Sequence, residues 1–197
     1  MKLTKYLLAS AITAALGSTA VQAADGTITF NGTVTNSACT AIASVTADAT
    51  VNGTPGSPIN ATLTLPPVTT DTLNAAAGTY AGQTPFSIQL TGCAAITGLN
   101  NVRTLFTTAS SPASDAHVMA NTAVATPATN VAVAIMQQNG VTQIDLNGGT
   151  NPDPGLALPV GTPGPLTLNY KAAYKSLSTG VTAGNVTGVA DFVISYF

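Results

Sequence analysis

Apolar and polar residues alternate strictly near the start of the 197-residue chain, between residues 25 and 35. Gly26, Ile28, Phe30, Gly32 and Val34 occupy every second position, and aspartate, threonine or asparagine stands at each position between them. A period of two predicts an extended strand with one apolar face and one polar face. Because a chain end is normally frayed and has no use for an apolar face, we expect this strand to fill a groove. The pattern alone leaves open whether that groove belongs to the same domain or to another molecule.

Short runs with a similar two-residue period recur along the rest of the chain, separated by glycine, proline, asparagine and aspartate. Many short strands with no helical period indicate an all-β sandwich. An Asn139-Gly140 turn signal joins two of these runs into a predicted hairpin. The residues between 147 and 165 include five prolines and five glycines and are predicted to be a loop. Residues 70–79 are compatible with a short helix or a loop, and we favour the loop. The predicted strands are 40–46, 59–65, 84–93, 101–108, 129–137, 141–146, 166–174 and 184–197.

Residues 1–23 have the pattern of a secretory signal peptide: two early lysines, an apolar run at 7–16, and Val-Gln-Ala before the cleavage point. The apolar run has about ten residues, whereas a membrane-spanning helix needs roughly 20. We therefore expect export with cleavage after Ala23 and no insertion into a membrane. This leaves 174 of the 197 residues, a length compatible with one domain.

The mature chain carries few charges. Its cations are Arg103, Lys171 and Lys175, which we interpret as surface charges, and its anions are seven aspartates, so the net charge is −4. Nucleic-acid binding needs clustered lysine and arginine, and the sequence therefore argues against a nucleic-acid partner. Abundant threonine, alanine, valine and glycine with little charge favour β structure.

Cys39 and Cys93 are the only cysteines of this predicted exported chain, and a single disulfide bond between them is the simplest interpretation. Two cysteines and one histidine lack the spacing of metal ligands, so neither a metal nor another cofactor is expected. His117 stands near Asp115, but the sequence has no catalytic motif around them. We interpret His117 as a solvated or lightly packed loop residue and expect no enzymatic activity.

Three segments together resemble the subunits of chaperone–usher pili, the type 1-like fimbrial proteins of Gram-negative bacteria. These segments are GTITFNGTVTNSAC at 26–39, TPFSIQLTGC at 84–93, and GVADFVISYF at 188–197 with its penultimate tyrosine. The resemblance also covers the signal peptide and the order of the two cysteines. The sequence departs from the family pattern in its long proline- and glycine-rich segment and in its terminal Phe197.

The resemblance implies an immunoglobulin-like sandwich that lacks its last strand and is completed by a donor strand from a neighbouring subunit. It divides the chain into a signal peptide (1–23), a donor extension (24–38) and a pilin domain (39–197). A periplasmic chaperone would fill the groove first, and the extension of the next subunit would replace it at an outer-membrane usher. Ile28, Phe30 and Val34 would be the plugs, with Gly26 and Gly32 at shallow points. The acceptor edge and chaperone-pairing motif would be Ala190, Phe192, Ile194 and Tyr196.

Three classes of function follow, in decreasing order of support. The first is a structural shaft subunit of an adhesive pilus, exported through the periplasm to the cell surface. The second is a minor, adaptor or tip subunit of the same fibre with a binding role. The third is an unrelated secreted β-sandwich enzyme, which a chain with seven aspartates and no glutamate supports poorly. For residues 26–34 the alternative is an ordinary first strand of the same domain, and the resemblance favours donation to a neighbour.

Overall fold

The structure is a computed structural model that describes residues 37–39, 41–46, 49–52 and 59–197. These residues lie in one compact unit, Asn36–Phe197. The predicted signal peptide and the five apolar positions between Gly26 and Val34 lie outside the described residues. Within the described ranges, no helix is long and apolar enough to cross a bilayer.

The described residues form strands with a single short helix, which confirms the predicted all-β class. The elements in chain order are β1 (Ala41–Thr46), β2 (Ala49–Asn52), β3 (Asn60–Leu63), α1 (Thr70–Asn74), β4 (Tyr80–Cys93), β5 (Asn101–Thr107), β6 (Met119–Ala120), β7 (Val131–Gln137), β8 (Gln143–Ile144), β9 (Leu156–Ala157), β10 (Gly164–Ser176) and β11 (Asp191–Tyr196).

The larger sheet has the order β1-β4-β10-β7-β6, with β8 also paired to β7. Its centre is the long antiparallel pair β4 and β10, in which Ile88 lies opposite Leu168 and Phe86 opposite Tyr170. The hairpin predicted at Asn139-Gly140 is present, because β8 returns along β7 with Ile144 opposite Ile135. All described strand pairs in this sheet are antiparallel.

The smaller sheet has the order β11-β5-β9, and β2 and β3 form a separate hairpin. Side chains from both sheets meet in one core. Phe106 of β5 packs edge-on against Tyr170 of β10, with 5.2 Å between ring centroids, and Phe86 of β4 lies 5.4 Å from the same tyrosine ring. Such aromatic contacts add to the free energy of burial, so this trio joins the two sheets of the sandwich.

For residues 70–79 the sequence favoured a loop over a short helix, and the structure has the helix α1 at Thr70–Asn74, followed by turns. Thr69 is its N-cap: its side chain accepts a hydrogen bond from the Thr72 backbone N–H at 3.3 Å. Asp71 lies in the first turn, where a negative charge is favoured by the helix dipole. A five-residue helix is too short to show a helical period in its sequence, which explains why the sequence favoured the other of the two alternatives.

The long segment 147–165 is mostly loop as predicted, but it contains β9, which pairs with β5 through Leu156 and Ala157. Strands β4 and β10 are also longer than their predicted runs. A further correction concerns Lys175, which was predicted to be a surface charge. Its side chain is only 16% exposed and its Nζ lies 2.6 Å from Asp115 Oδ2.

Candidate functional site: an open sheet edge with a half-buried apolar row

Strand β11 lies at the edge of the smaller sheet. It pairs in antiparallel register with β5 from Asp191 opposite Thr107 to Tyr196 opposite Val102. Among the described residues, β11 has a neighbouring strand on this side only. An edge strand directs half of its backbone N–H and C=O groups away from its sheet, and those groups can pair with another strand.

A row of apolar side chains follows this edge on its inner face. Each member is half-buried, and each packs against the core between the two sheets. The exposed residues Asp191 and Val193 alternate with them, so the predicted two-residue period is present in β11. The core is therefore only partly covered along this strand, and a further strand beside β11 would bury it. The row consists of Val186, Ala190, Phe192, Ile194 and Tyr196.

The segment that leads into β11 is fixed in place by asparagine side chains. The Asn121 amide donates to the carbonyl oxygens of Ala128 and Asn185, at 2.8 and 2.9 Å, and its oxygen accepts the Thr187 N–H at 2.9 Å. Because these bonds hold one side of the segment, the alternate residues face the core. Gly188 is one of these, and a Cβ atom there would come 2.9 Å from the Val133 Cβ atom, closer than van der Waals contact allows.

A groove of about 830 Å³ lies beside the segment that precedes β11, and its lining on this side ends at Thr187. Leu65 and Val68 line it on the side of the chain that precedes α1, and Val186 lines it on the β11 side. Leu73 and Val181 add buried apolar surface to it. Thr182, Asn185 and Thr187 also line the groove, so its wall is mixed, and Val186 is the residue that it shares with the half-buried row.

The predicted disulfide bond between Cys39 and Cys93 is present. Cys93 is the last residue of β4 and is fully buried, and the Ala94 N–H donates to the Ala38 carbonyl oxygen at 2.9 Å beside the bond. Ser37 Oγ lies 3.0 Å from the Tyr196 hydroxyl. The disulfide and this hydrogen bond place residues 37–39 at the C-terminal end of β11.

Asp153 is an important buried residue that the sequence did not single out. Its carboxylate accepts hydrogen bonds from the Thr104 N–H at 2.8 Å, the Tyr170 hydroxyl at 2.5 Å and the Gly155 N–H at 3.1 Å. Burial raises the pKa of Tyr170 above its usual range, and the hydrogen bond to Asp153 raises it further. The only sequence signal was an aspartate between two prolines in an uncharged loop. This carboxylate fastens the long loop to both sheets.

The pair formed by Asp115 and Lys175 lies near His117. Burial alone would raise the pKa of Asp115, but hydrogen bonds from Lys175 and from the His117 backbone lower it. Burial would lower the pKa of Lys175, but Asp115 and Tyr80 raise it. His117 is half-buried, and its Nδ1 lies 3.0 Å from the Leu146 carbonyl oxygen. These contacts join loop residues to the outer face of the larger sheet.

The sequence is similar throughout its length to fimbrial proteins. A family model described as fimbrial protein matches residues 28–197. The major fimbrial subunit SMF-1 of Stenotrophomonas maltophilia (strain K279a) is 38% identical over 184 residues, covering 90% of this chain and 95% of the relative. The F17 fimbrial protein of Escherichia coli is 35% identical over 188 residues, covering 94% of each chain. The laminin-binding fimbrial subunit ElfA of Escherichia coli O157:H7 is 32% identical and covers 98% of this chain and 99% of the relative.

Two solved structures share the fold. The P pilus rod subunit PapA superimposes with a TM-score of 0.51 at 16% identity, covering 76% of this chain and 99% of that one. A chaperone–usher pilus structure concerned with rod uncoiling gives a TM-score of 0.51 at 21% identity, covering 88% and 96%. At these identities the likeness shows the fold alone.

The fold is that of the immunoglobulin-like pilin sandwiches. The chain belongs to the fimbrial protein family. The relatives are structural fimbrial subunits and not enzymes. Such subunits form polymeric surface fibres, so neighbouring subunits are the chain's partners and the extracellular pilus is its location.

Proposed function

We propose that the chain is a shaft subunit of an adhesive pilus and polymerises by donor-strand complementation. The apolar face of residues 26–34 of one subunit would enter the groove along β11 of the next. The observation that carries this proposal is the half-buried row from Val186 to Tyr196 on a strand that lacks a described neighbour on one side. The relative SMF-1 is called a major fimbrial subunit, which supports a position in the shaft.

The two surfaces match in period and character. Gly26, Ile28, Phe30, Gly32 and Val34 recur every second residue, and so do the inward residues of β11. Strand addition at such an edge supplies backbone hydrogen bonds, and the alternate side chains fill pockets. We infer that Ile28, Phe30 and Val34 bury their side chains against Phe192, Ile194 and their neighbours.

The length of the chain favours donation to a neighbour over insertion into the same molecule. Ser37 lies beside Tyr196, at the C-terminal end of β11. If residues 26–34 ran antiparallel to their own β11, Val34 would lie near the start of that strand. The few residues between Val34 and Ser37 span at most about 10 Å, whereas the six residues of β11 span about 20 Å. We therefore infer that an antiparallel strand beside β11 comes from another subunit; this length argument does not apply to a parallel strand.

The open edge also bears on how the subunit reaches the fibre. An open apolar groove with an unpaired edge promotes aggregation, so we propose that a periplasmic chaperone covers β11 until an outer-membrane usher brings in the next subunit. Residues 1–23 would direct export to the periplasm and be removed. Ala190, Phe192, Ile194 and Tyr196 would pair first with the chaperone and then with the donor strand. Adhesion would be a property of the assembled fibre.

The test compares the same charge on opposite faces of one strand. Phe30→Asp places an unpaired charge in the apolar groove and should abolish heat-resistant polymers on gels, whereas Thr29→Asp on the polar face should leave them. Phe30→Ala should weaken the subunit contact by about 3–5 kcal/mol. Each variant should still co-purify with the chaperone, because the extension is not engaged there. Normal polymer yield from Phe30→Asp would refute the donor-strand assignment.

A matched pair on the acceptor side completes the test. Ile194 is half-buried on the inner face of β11, and its neighbour Val193 is 62% exposed on the outer face. Ile194→Asp should therefore prevent both chaperone binding and polymerisation, while Val193→Asp should permit both. Equal behaviour of the two variants would mean that the inner face of β11 is not the acceptor surface.

A further inference from the structure

Arg103 lies beside the C-terminal end of β11 and has no acidic partner among the described residues. It lies on β5 opposite Ser195, and its guanidinium carbon is 4.7 Å from the ring centroid of Phe197, two residues further along the edge. Among the described residues, the Arg103 Nε is the one buried side-chain nitrogen or oxygen without a hydrogen-bond partner. A buried donor of this kind is costly unless an acceptor is supplied.

The two lysines of the mature chain are differently placed. Lys175 binds Asp115 at 2.6 Å, and the Lys171 Nζ lies 3.4 Å from the Gln83 side-chain oxygen. Within the described ranges, no carboxylate lies within ion-pair distance of Arg103. Arg103 is therefore a cation without a described counter-ion near the end of the edge strand, where another molecule could supply an anion.

The charges at this edge favour one direction for an added strand. The outward positions of residues 25–35 carry a single charged group, Asp25. A strand antiparallel to β11 would bring Asp25 to the C-terminal end of β11, beside Ser195 and Phe197, where Arg103 points. A parallel strand would bring it instead toward the exposed carboxylate of Asp191 at the other end, where like charges repel.

We propose that Arg103 binds the Asp25 carboxylate of a neighbouring copy of this chain, and that this ion pair sets the direction and register of the donor strand. The proposal rests on the proposed function. The donor strand would lie two strand spacings from β5, about 10 Å. The long arginine side chain, which already reaches Phe197, and the aspartate side chain together cover that span. Stacking on Phe197 holds the guanidinium in the required direction.

The test uses the full-length chain expressed from its own gene cluster with its chaperone and usher. Polymers of the parent, Asp25→Asn, Arg103→Gln, the Asp25→Asn/Arg103→Gln double variant and the charge swap Asp25→Arg/Arg103→Asp are purified. Their rate of dissociation in detergent at a fixed temperature is followed on gels. Asp191→Asn is the control, because it neutralises an outward carboxylate at the other end of β11.

Each neutral single variant should dissociate about two- to fivefold faster than the parent. The neutral double variant should be no faster than either single variant, and the charge swap should return to within about twofold of the parent. Asp191→Asn should behave as the parent does. Additive effects in the neutral double variant, or a parental rate for Asp25→Asn, would overturn the proposal. If the charge-swap variant does not fold, the comparison of the two neutral single variants with the neutral double variant still tests the ion pair.

The two proposals fail in different ways. If Phe30→Asp polymerises normally, the donor-strand mechanism itself is wrong. If Phe30→Asp prevents polymerisation but Asp25 and Arg103 act independently, the donor strand stands and only the ion pair is refuted.

Discussion

Removal of the Asp153 side chain should destabilise the subunit more than any other change to the long loop 147–165. Asp153 is 5% exposed, and two of its donors belong to residues that are also buried, Thr104 at 1% and Tyr170 at 3%. Asp153→Ala would leave the Thr104 N–H and the Tyr170 hydroxyl without their carboxylate acceptor. The third donor is the backbone N–H of Gly155, which is half-buried and can form a hydrogen bond to water instead.

The magnitude follows from the number of buried donors. Leaving one buried donor unsatisfied costs about 1–3 kcal/mol, so two of them cost about 2–6 kcal/mol before relaxation. The Tyr170 hydroxyl also lies 2.8 Å from Thr104 Oγ1, and this contact can remain. We therefore expect a loss of about 3 kcal/mol in the free energy of unfolding. Asp153→Asn keeps the shape of the side chain but places an amide N–H near these donors. We therefore expect a loss in the free energy of unfolding that is smaller than that of Asp153→Ala.

The assay is urea unfolding of the purified, unpolymerised subunit, followed by circular dichroism. With a slope of about 2 kcal/mol per molar urea, a loss of 3 kcal/mol lowers the midpoint by about 1.5 M. Asp71→Ala is the control, because Asp71 is an exposed aspartate in α1. If Asp153→Ala and Asp71→Ala unfold at the same urea concentration, the carboxylate does not hold the loop to the two sheets, and the reasoning is refuted.

Three further predictions use the same unfolding measurement. Thr69→Ala removes the N-cap of α1 and should cost about 1 kcal/mol; an unchanged midpoint would show that the cap is dispensable. Gly155 has a φ of +73°, and an added Cβ would overlap the Val102 carbonyl oxygen, so Gly155→Ala should cost about 2–3 kcal/mol. Lys175→Met should cost about 1–3 kcal/mol at pH 7. Because the folded pKa of Asp115 lies below its ordinary 3.8, that difference should shrink as the pH falls below about 4; a constant difference would contradict the ion pair.

The sandwich could be predicted because its signals are local. Period-two runs placed β4, β5, β7, β10 and β11 near their observed positions, and the Asn139-Gly140 turn placed the hairpin to β8. The row from Ala190 to Tyr196 also followed from alternation, because alternate residues of a strand face opposite sides wherever the strand lies.

The remaining features depend on contacts between distant parts of the chain. Asp153 and Thr104 are 49 residues apart and Lys175 and Asp115 are 60 apart, and no local pattern records such partners. Asn121 is an ordinary loop asparagine in the sequence, yet it fixes the segment that leads into β11. The orientation of Arg103 is likewise set by the register of β11 against β5 and by the Phe197 ring, neither of which a single segment reveals.

The proposed donor-strand complementation would join each subunit firmly to its neighbour. Full burial of a side chain such as Ile28, Phe30 or Val34 contributes about 1.5–3 kcal/mol, so the three together contribute about 5–9 kcal/mol before the cost of ordering the strand. A whole domain has a net stability of about 5–15 kcal/mol. On this proposal, the donated strand would contribute about as much free energy as the net stability of the domain it completes. The Asp153 hydrogen bonds, which join β5 of one sheet to β10 of the other, and the disulfide bond would then keep the incomplete domain folded before the proposed strand is added.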